Sequence, residues 1–141
     1  MQIPFIIKKI ETKQFVMFTN EYVNGEIVNI KTEFGFSYSN DISSILCISK
    51  ISYYQDNRLL LLLELACTFD IAQEGQNALK KEKKIDAAFQ QYMATIVVGT
   101  ARGIIHSKTE GSVLNPIVLP PINLVKFINK DIPISEQEAK Q

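Results

Sequence analysis

The chain has no net charge, no long apolar run, a single histidine and only two cysteines, and each shortage removes a class of protein. Fifteen Lys and Arg balance fifteen Asp and Glu over 141 residues. No excess of positive charge therefore draws the chain to nucleic acid or to an anionic membrane surface. No stretch reaches the ~18 consecutive apolar residues of a membrane span, so membrane insertion is not expected. The opening MQIPFIIKKIETK places its lysines after the apolar residues and offers no small-residue cleavage site. That order is unlike a secretory signal, and a cytoplasmic location is the expectation. Cys47 and Cys67 sit inside apolar strand patterns and read as small hydrophobes, with a disulfide as the lesser alternative.

Chemistry is equally sparse. His106 has no cysteine pair or carboxylate at ligand spacing, so it reads as an ordinary helix residue, and no metal or cofactor is expected. Gly99 and Gly103 lie within a helical pattern with no preceding strand, which excludes a phosphate-cradling loop. No Gly-x-Ser-x-Gly elbow occurs. Ser107, Lys108 and Thr109 sit at a helix end and make a poor nucleophile cluster. These gaps point to a binding module rather than an enzyme.

What is present is ordinary globular material, 46% hydrophobic and 21% charged, enough for one domain over residues 1–141 to bury a core. Strands come first. The stretch from Phe5 to Phe18 is rich in Ile, Phe and Val, and its polar interruption at Glu11 to Gln14 predicts a bend or bulge. From Val28 to Tyr38 apolar and polar residues alternate with period two. Ile45 to Tyr54 makes a third strand, Gln55 to Asn57 a hairpin turn, and Arg58 to Ile71 a fourth strand. In that fourth strand every odd position from Leu59 to Ile71 is apolar, whereas the even positions begin with Leu60 and Leu62 and then turn to Glu64, Ala66, Thr68 and Asp70. Four consecutive strands followed by helices predict an α+β protein with an antiparallel meander.

The polar, lysine-rich stretch from Gln73 to Lys84 reads as a solvated connector or frayed helix turns. From Ile85 to about Lys108 the period becomes helical. Phe89, Met93, Ile96, Val97, Thr100 and Ile104 share one stripe, and Ala94, Val98, Ala101 and Ile105 share another. A helix apolar on two sides needs two covers. The sheet supplies one, and a second copy of the chain is the expected other, which predicts self-association through Ala94, Val98, Ala101 and Ile105. Beyond it an extended, proline-punctuated segment runs from Asn115 to Ile122. Asn123 suits an N-cap for a short helix through Leu124, Phe127 and Ile128, and the polar tail from about Asp131 is expected to be loose.

Several short motifs, in this order, resemble the SecB family of export chaperones. Phe5 to Ile10 with Thr12 and Lys13 is similar to that family's opening strand, and Thr68 to Ile71 to its Phe-x-Ile strand end. Arg102 and Gly103 match its helix-terminal Arg-Gly. Ile117, Leu119, Pro121 and Asn123 resemble its Leu-x-Leu-x-Pro-x-Asn, and the likeness spans about residues 5 to 129. The resemblance implies a four-stranded antiparallel sheet followed by a long helix and a short C-terminal helix, assembled as a dimer or tetramer. It also implies ATP-independent holdase activity toward unfolded polypeptide clients. The groove residues it suggests are Phe69, Ile71, Phe127 and Ile128, with Tyr22, Phe89 and Tyr92 at its margins.

Two departures from the family stand out. At positions matched to the carboxylates that engage the motor SecA, this chain has Gln14, Phe18 and Leu62, so SecA as the receiving partner stays open. The stretch from Ile104 to Asn115 is longer than the family's link. Phe18, Leu60 and Leu62 instead form an expected apolar patch on the outer sheet face, a candidate for a different partner. A chaperone serving a toxin–antitoxin system and a small-molecule binder with a pocket between sheet and helix are the alternatives.

Overall fold

A computed structural model describes residues 3–134. Its centre is a four-stranded antiparallel sheet of β1 (Phe5–Met17), β2 (Asn29–Tyr38), β3 (Ser44–Gln55) and β4 (Arg58–Ile71), in the order β1-β4-β3-β2. The expected meander holds only for β2, β3 and β4. β1 lies beside β4 rather than β2, which makes the order that of a Greek key, and the β3–β4 hairpin closes through Gln55 opposite Arg58. β1 carries two register shifts, one skipping Lys8 and one skipping Lys13. The second falls in the polar interruption where a bulge is expected. Both place a lysine at an irregularity of an edge strand, a combination that discourages uncontrolled strand pairing.

The apolar period of β4 decides which face becomes core. Leu61, Leu63, Leu65, Cys67, Phe69 and Ile71 are all buried. Helix α2 (Ala87–Lys108) lies over β3 and β4, contributing Phe89, Met93, Val97 and Val98 to the same cluster. Each such side chain withdrawn from water contributes on the order of 1.5–3 kcal/mol. Asp86 caps the helix, its carboxylate accepting from the Phe89 N–H at 2.8 Å. No helix among the described residues is long and apolar enough to cross a membrane.

Three features differ from the sequence reading. The lysine-rich connector is a helix, α1 (Gln73–Glu82), ended by Lys83 in the left-handed conformation at φ 58°. It docks closely because Gly75 has no side chain: a Cβ there would lie 2.7 Å from the Ile3 side chain and 2.9 Å from that of Ile71. From Asp131 to Ile134 the polar tail is ordered. Strand β6 (Ile132–Pro133) pairs with β5 (Lys84–Ile85), and Asp131 bonds the Ala87 N–H and the Lys84 ammonium. The rest of the expected loose tail lies outside the described residues. Finally, Asn123 precedes α3 (Leu124–Phe127) without making a side-chain capping bond.

The largest correction concerns the cover of α2. Ala94, Val98, Ala101 and Ile105 are 0%, 5%, 0% and 1% exposed within one chain, so they cannot meet a partner subunit. The second cover is the chain's own proline segment. Leu114 and Leu119 are buried, the Tyr53 hydroxyl donates to the Ile117 carbonyl at 3.5 Å, and Arg102 donates to the Leu119 and Pro120 carbonyls. An extended segment has no period that announces which helix it will lie on.

Candidate functional site

Two apolar depressions are present, one at the β1 edge of the sheet and one between α2 and the proline segment. At the β1 edge the floor is aromatic. The Phe5 ring meets Phe69 and Phe89 at 5.5 Å and Tyr92 at 5.6 Å, each edge to face. Above this floor lies a cavity of about 780 Å³ between the start of β1, α1 and the first turns of α2. Its walls are Ile7, Leu79, Tyr92 and Ile96, and its rim is polar, with Glu82, Lys84 and Asp86. The hydrogen bond and charge of Asp131 raise the Lys84 pKa. The Asp131 carboxyl is held below its ordinary value, first by the Ala87 N–H and then by Lys84. This salt link closes the C-terminal segment against the start of α2. Gln90 and Gln91 tie the same segment down through the Lys130 and Ile128 carbonyls.

On the β2 side a loop and the C-terminal segment frame the sheet. The loop between β1 and β2 is fixed by Gln55, whose buried carboxamide accepts from the Val23 N–H and donates to the Val23 and Glu26 carbonyls. Arg58 adds bonds to the Glu21 carbonyl and the Glu26 carboxylate. The Phe34 ring on β2 meets Phe127 of α3 at 6.0 Å. Next to this frame Ile27, Val125 and Phe127 are 80%, 62% and 51% exposed, and on the proline segment Val118 is 59% exposed. A second cavity, about 620 Å³, opens between Thr95, Val98 and Arg102 of α2 and the proline segment. No regularity of Ile27 or Val118 in the sequence marks them; only their failure to find cover in the fold does.

The expected groove residues divide between these places. Phe69, Ile71, Phe89 and Ile128 are buried in the chain's own core, so none of them offers a free side chain to a client. Tyr92 and Phe127 are exposed, and Tyr22 is half-buried against the core. Burial of Phe69 follows from its odd position in β4, on the face that α2 covers.

The expected patch of Phe18, Leu60 and Leu62 also needs correction. Leu60 is fully buried, because the pairing jumps from Tyr53–Leu61 to Tyr54–Leu59 and leaves Leu60 in the irregularity. Its carbonyl accepts the Phe18 N–H at 2.8 Å, so Phe18 does lie beside it, 46% exposed. Leu62 is half-buried and pairs with Val16. On the same outer face Glu64 stands between Gln14 and Lys50, and Lys50 between Glu64 and Glu33. Carboxylates are present there, interleaved with a lysine rather than clustered. Among the described residues no group of His, Cys, Asp and Glu could hold a metal ion. His106 lies exposed near the end of α2, its carbonyl accepting from Asn115.

No family model and no curated protein matches the chain. Among solved structures it is similar to the SecB-like chaperone Rv1957 of Mycobacterium tuberculosis, determined in complex with a ChAD peptide from the HigA1 antitoxin Rv1956. The two share 13% identity with a TM-score of 0.58, over 84% of this chain and 90% of that one. A four-stranded antiparallel sheet in the order β1-β4-β3-β2, a long helix across it and a short C-terminal helix give this protein the fold of a SecB-like chaperone.

Proposed function

We propose that this chain is an ATP-independent holdase of the cytoplasm, which binds extended apolar segments of unfolded polypeptide beside the β2 edge of its sheet and catalyses no reaction. The observation that carries this reading is the group of uncovered apolar side chains on the segments next to β2, with Ile27 just before the strand, Val125 and Phe127 on α3, and the Phe127 ring against Phe34 of β2. Large exposed apolar surface marks a place where something binds. An extended client suits a sheet edge, where backbone groups await partners and alternate side chains can enter apolar depressions. The antitoxin peptide held by the structural neighbour supports the same reading. It also favours service to a toxin–antitoxin pair over export, since the face matched to SecA docking presents Gln14, Phe18 and Leu62.

Self-association as a dimer or tetramer belongs to this reading, through a face other than the one expected. Ala88, Tyr92, Thr95, Gly99 and Gly103 form an exposed stripe along α2, with open space beside both glycines. A second copy would bury it.

The test is suppression of aggregation. An unrelated protein diluted from denaturant should stay in solution at a stoichiometric ratio of this chain, without nucleotide. The competing reading, a small-molecule binder, draws on the cavity of about 780 Å³ beside Phe5. It predicts unchanged aggregation together with saturable uptake of an apolar dye, and that pair of results would sink the holdase.

A further inference from the structure

Cys47 and Cys67 lie directly opposite one another on the two central strands, both fully buried and both free. Their place in the ladder follows from one bond. The Ile71 N–H donates to the Ser43 carbonyl at 2.9 Å, and the β3–β4 register runs unbroken from Ser44–Asp70 to Tyr53–Leu61. Hydrogen-bonded pairs alternate along an antiparallel ladder, so Cys47 and Cys67, four positions on, are again a hydrogen-bonded pair. Such pairs hold their Cα atoms ~5.5 Å apart, inside the ~4.4–6.8 Å range that a disulfide spans. Their Cβ atoms stand somewhat wider than a relaxed disulfide prefers, and strained disulfides are the readily reduced ones.

From this geometry we infer that Cys47 and Cys67 form a latent, reversible disulfide staple between β3 and β4, closed by a low-molecular-weight disulfide when the sheet transiently opens. One cysteine thiolate attacks a sulfur of the oxidant and expels one thiolate. The other cysteine thiolate then attacks the mixed disulfide at the protein sulfur and expels the second. Each cysteine gives up one proton, the pair is oxidised to one disulfide, and the oxidant is reduced to two thiols. The closed fold suppresses the first step. Burial, with the neighbouring Cys67 adding to it, pushes the Cys47 thiol up to about 12, and burial also raises Cys67. Thiolate is the attacking form, so reaction waits on opening. Oxidant and loosening of the sheet are thus both required. The staple would close the chain between residues 47 and 67 and oppose further unfolding.

The experiment treats the full chain with oxidised glutathione at mildly alkaline pH, with and without sub-denaturing urea. The expected product is a monomer lighter by two hydrogens, with the 47–67 crosslink found by peptide mapping. It should form faster in urea, keep the native circular dichroism spectrum, melt several degrees higher and revert with dithiothreitol. Cys47→Ala and Cys67→Ala should each yield only the glutathione adduct. Wild-type protein that ends as glutathione adducts or disulfide-linked dimers would overturn the proposal. So would a crosslinked monomer that has lost its sheet.

Discussion

Arg102 on α2 donates through Nε to the Leu119 carbonyl at 2.6 Å, and through Nη2 to the next carbonyl, that of Pro120, at 3.1 Å. One guanidinium thereby stitches an extended, proline-bearing segment, poor in backbone donors, to a helix that would otherwise show an apolar flank to water. Arg102→Lys keeps the charge and loses the fork. It should cost about 2 kcal/mol, the scale of hydrogen bonds to a charged group, read as a lower urea midpoint with unchanged slope. A midpoint equal to the parent's would mean that the segment is held by packing alone.

Val98 tests which side of α2 is internal. It is 5% exposed beneath the proline segment, so Val98→Glu buries an unpaired carboxylate and should cost about 3–5 kcal/mol. Gly99→Glu points into open space one residue on and should leave the melting temperature close to the parent's. In gel filtration with light scattering, the Gly99 variant should shift to smaller species if the exposed stripe joins subunits. A folded, dissociated Val98→Glu protein would instead restore the face first expected from the sequence.

Phe127 and its neighbour Ile128 separate binding from stability. Phe127 is 51% exposed and Ile128 only 5%. Val125→Ser with Phe127→Ser should lower holdase capacity several-fold while costing about 1 kcal/mol, the worth of the lost ring contact with Phe34. Ile128→Ser should cost about 2–4 kcal/mol, as a buried truncation does. Equal thermal losses in the two proteins would place Phe127 in the core as well.

Asp41 gives a pH prediction of definite sign. Its carboxylate accepts from the Ser43 hydroxyl at 2.7 Å, the Ser43 N–H at 3.0 Å and the Ser39 hydroxyl at 2.9 Å. Those bonds, the Ser43 hydroxyl first, lower its pKa to about 2. They hold a turn in which buried Ile42 sits at φ 57°, a region that a β-branched residue rarely enters. A depressed folded pKa adds stability that is present above the ordinary carboxylate value of ~3.9 and is lost as pH falls through about 2. Acid unfolding followed between those values should be shallower in Asp41→Asn than in the parent, and identical slopes would remove the turn from the acid response.

How far the sequence reaches depends on periodicity. The alternation from Asn29 to Tyr38 and the odd-position leucines of β4 are local patterns, since a strand with one apolar face must turn that face inward wherever it pairs. Those patterns established the four strands and the core face, whereas the placing of β1 beside β4 rather than β2 was decided by the tertiary structure. The helical stripes through Phe89 and Val98 likewise established that α2 is covered twice, because apolar area on two sides must leave water on both.

What covers the second side was decided only in three dimensions. The segment from Leu114 to Ile122 has no period, and its prolines say where it cannot be helical but not where it lies. Its placement against Val98 and Arg102 rests on contacts between residues far apart in the chain, as does the closeness of Gly75 to Ile3 and Ile71. The same holds for exposure. Phe127 and Ile128 are adjacent and similarly apolar, and a short helix set against a sheet edge turns one outward and the other inward. Local pattern determines which residues need burial; the limited area of the surfaces brought together decides which of them get it.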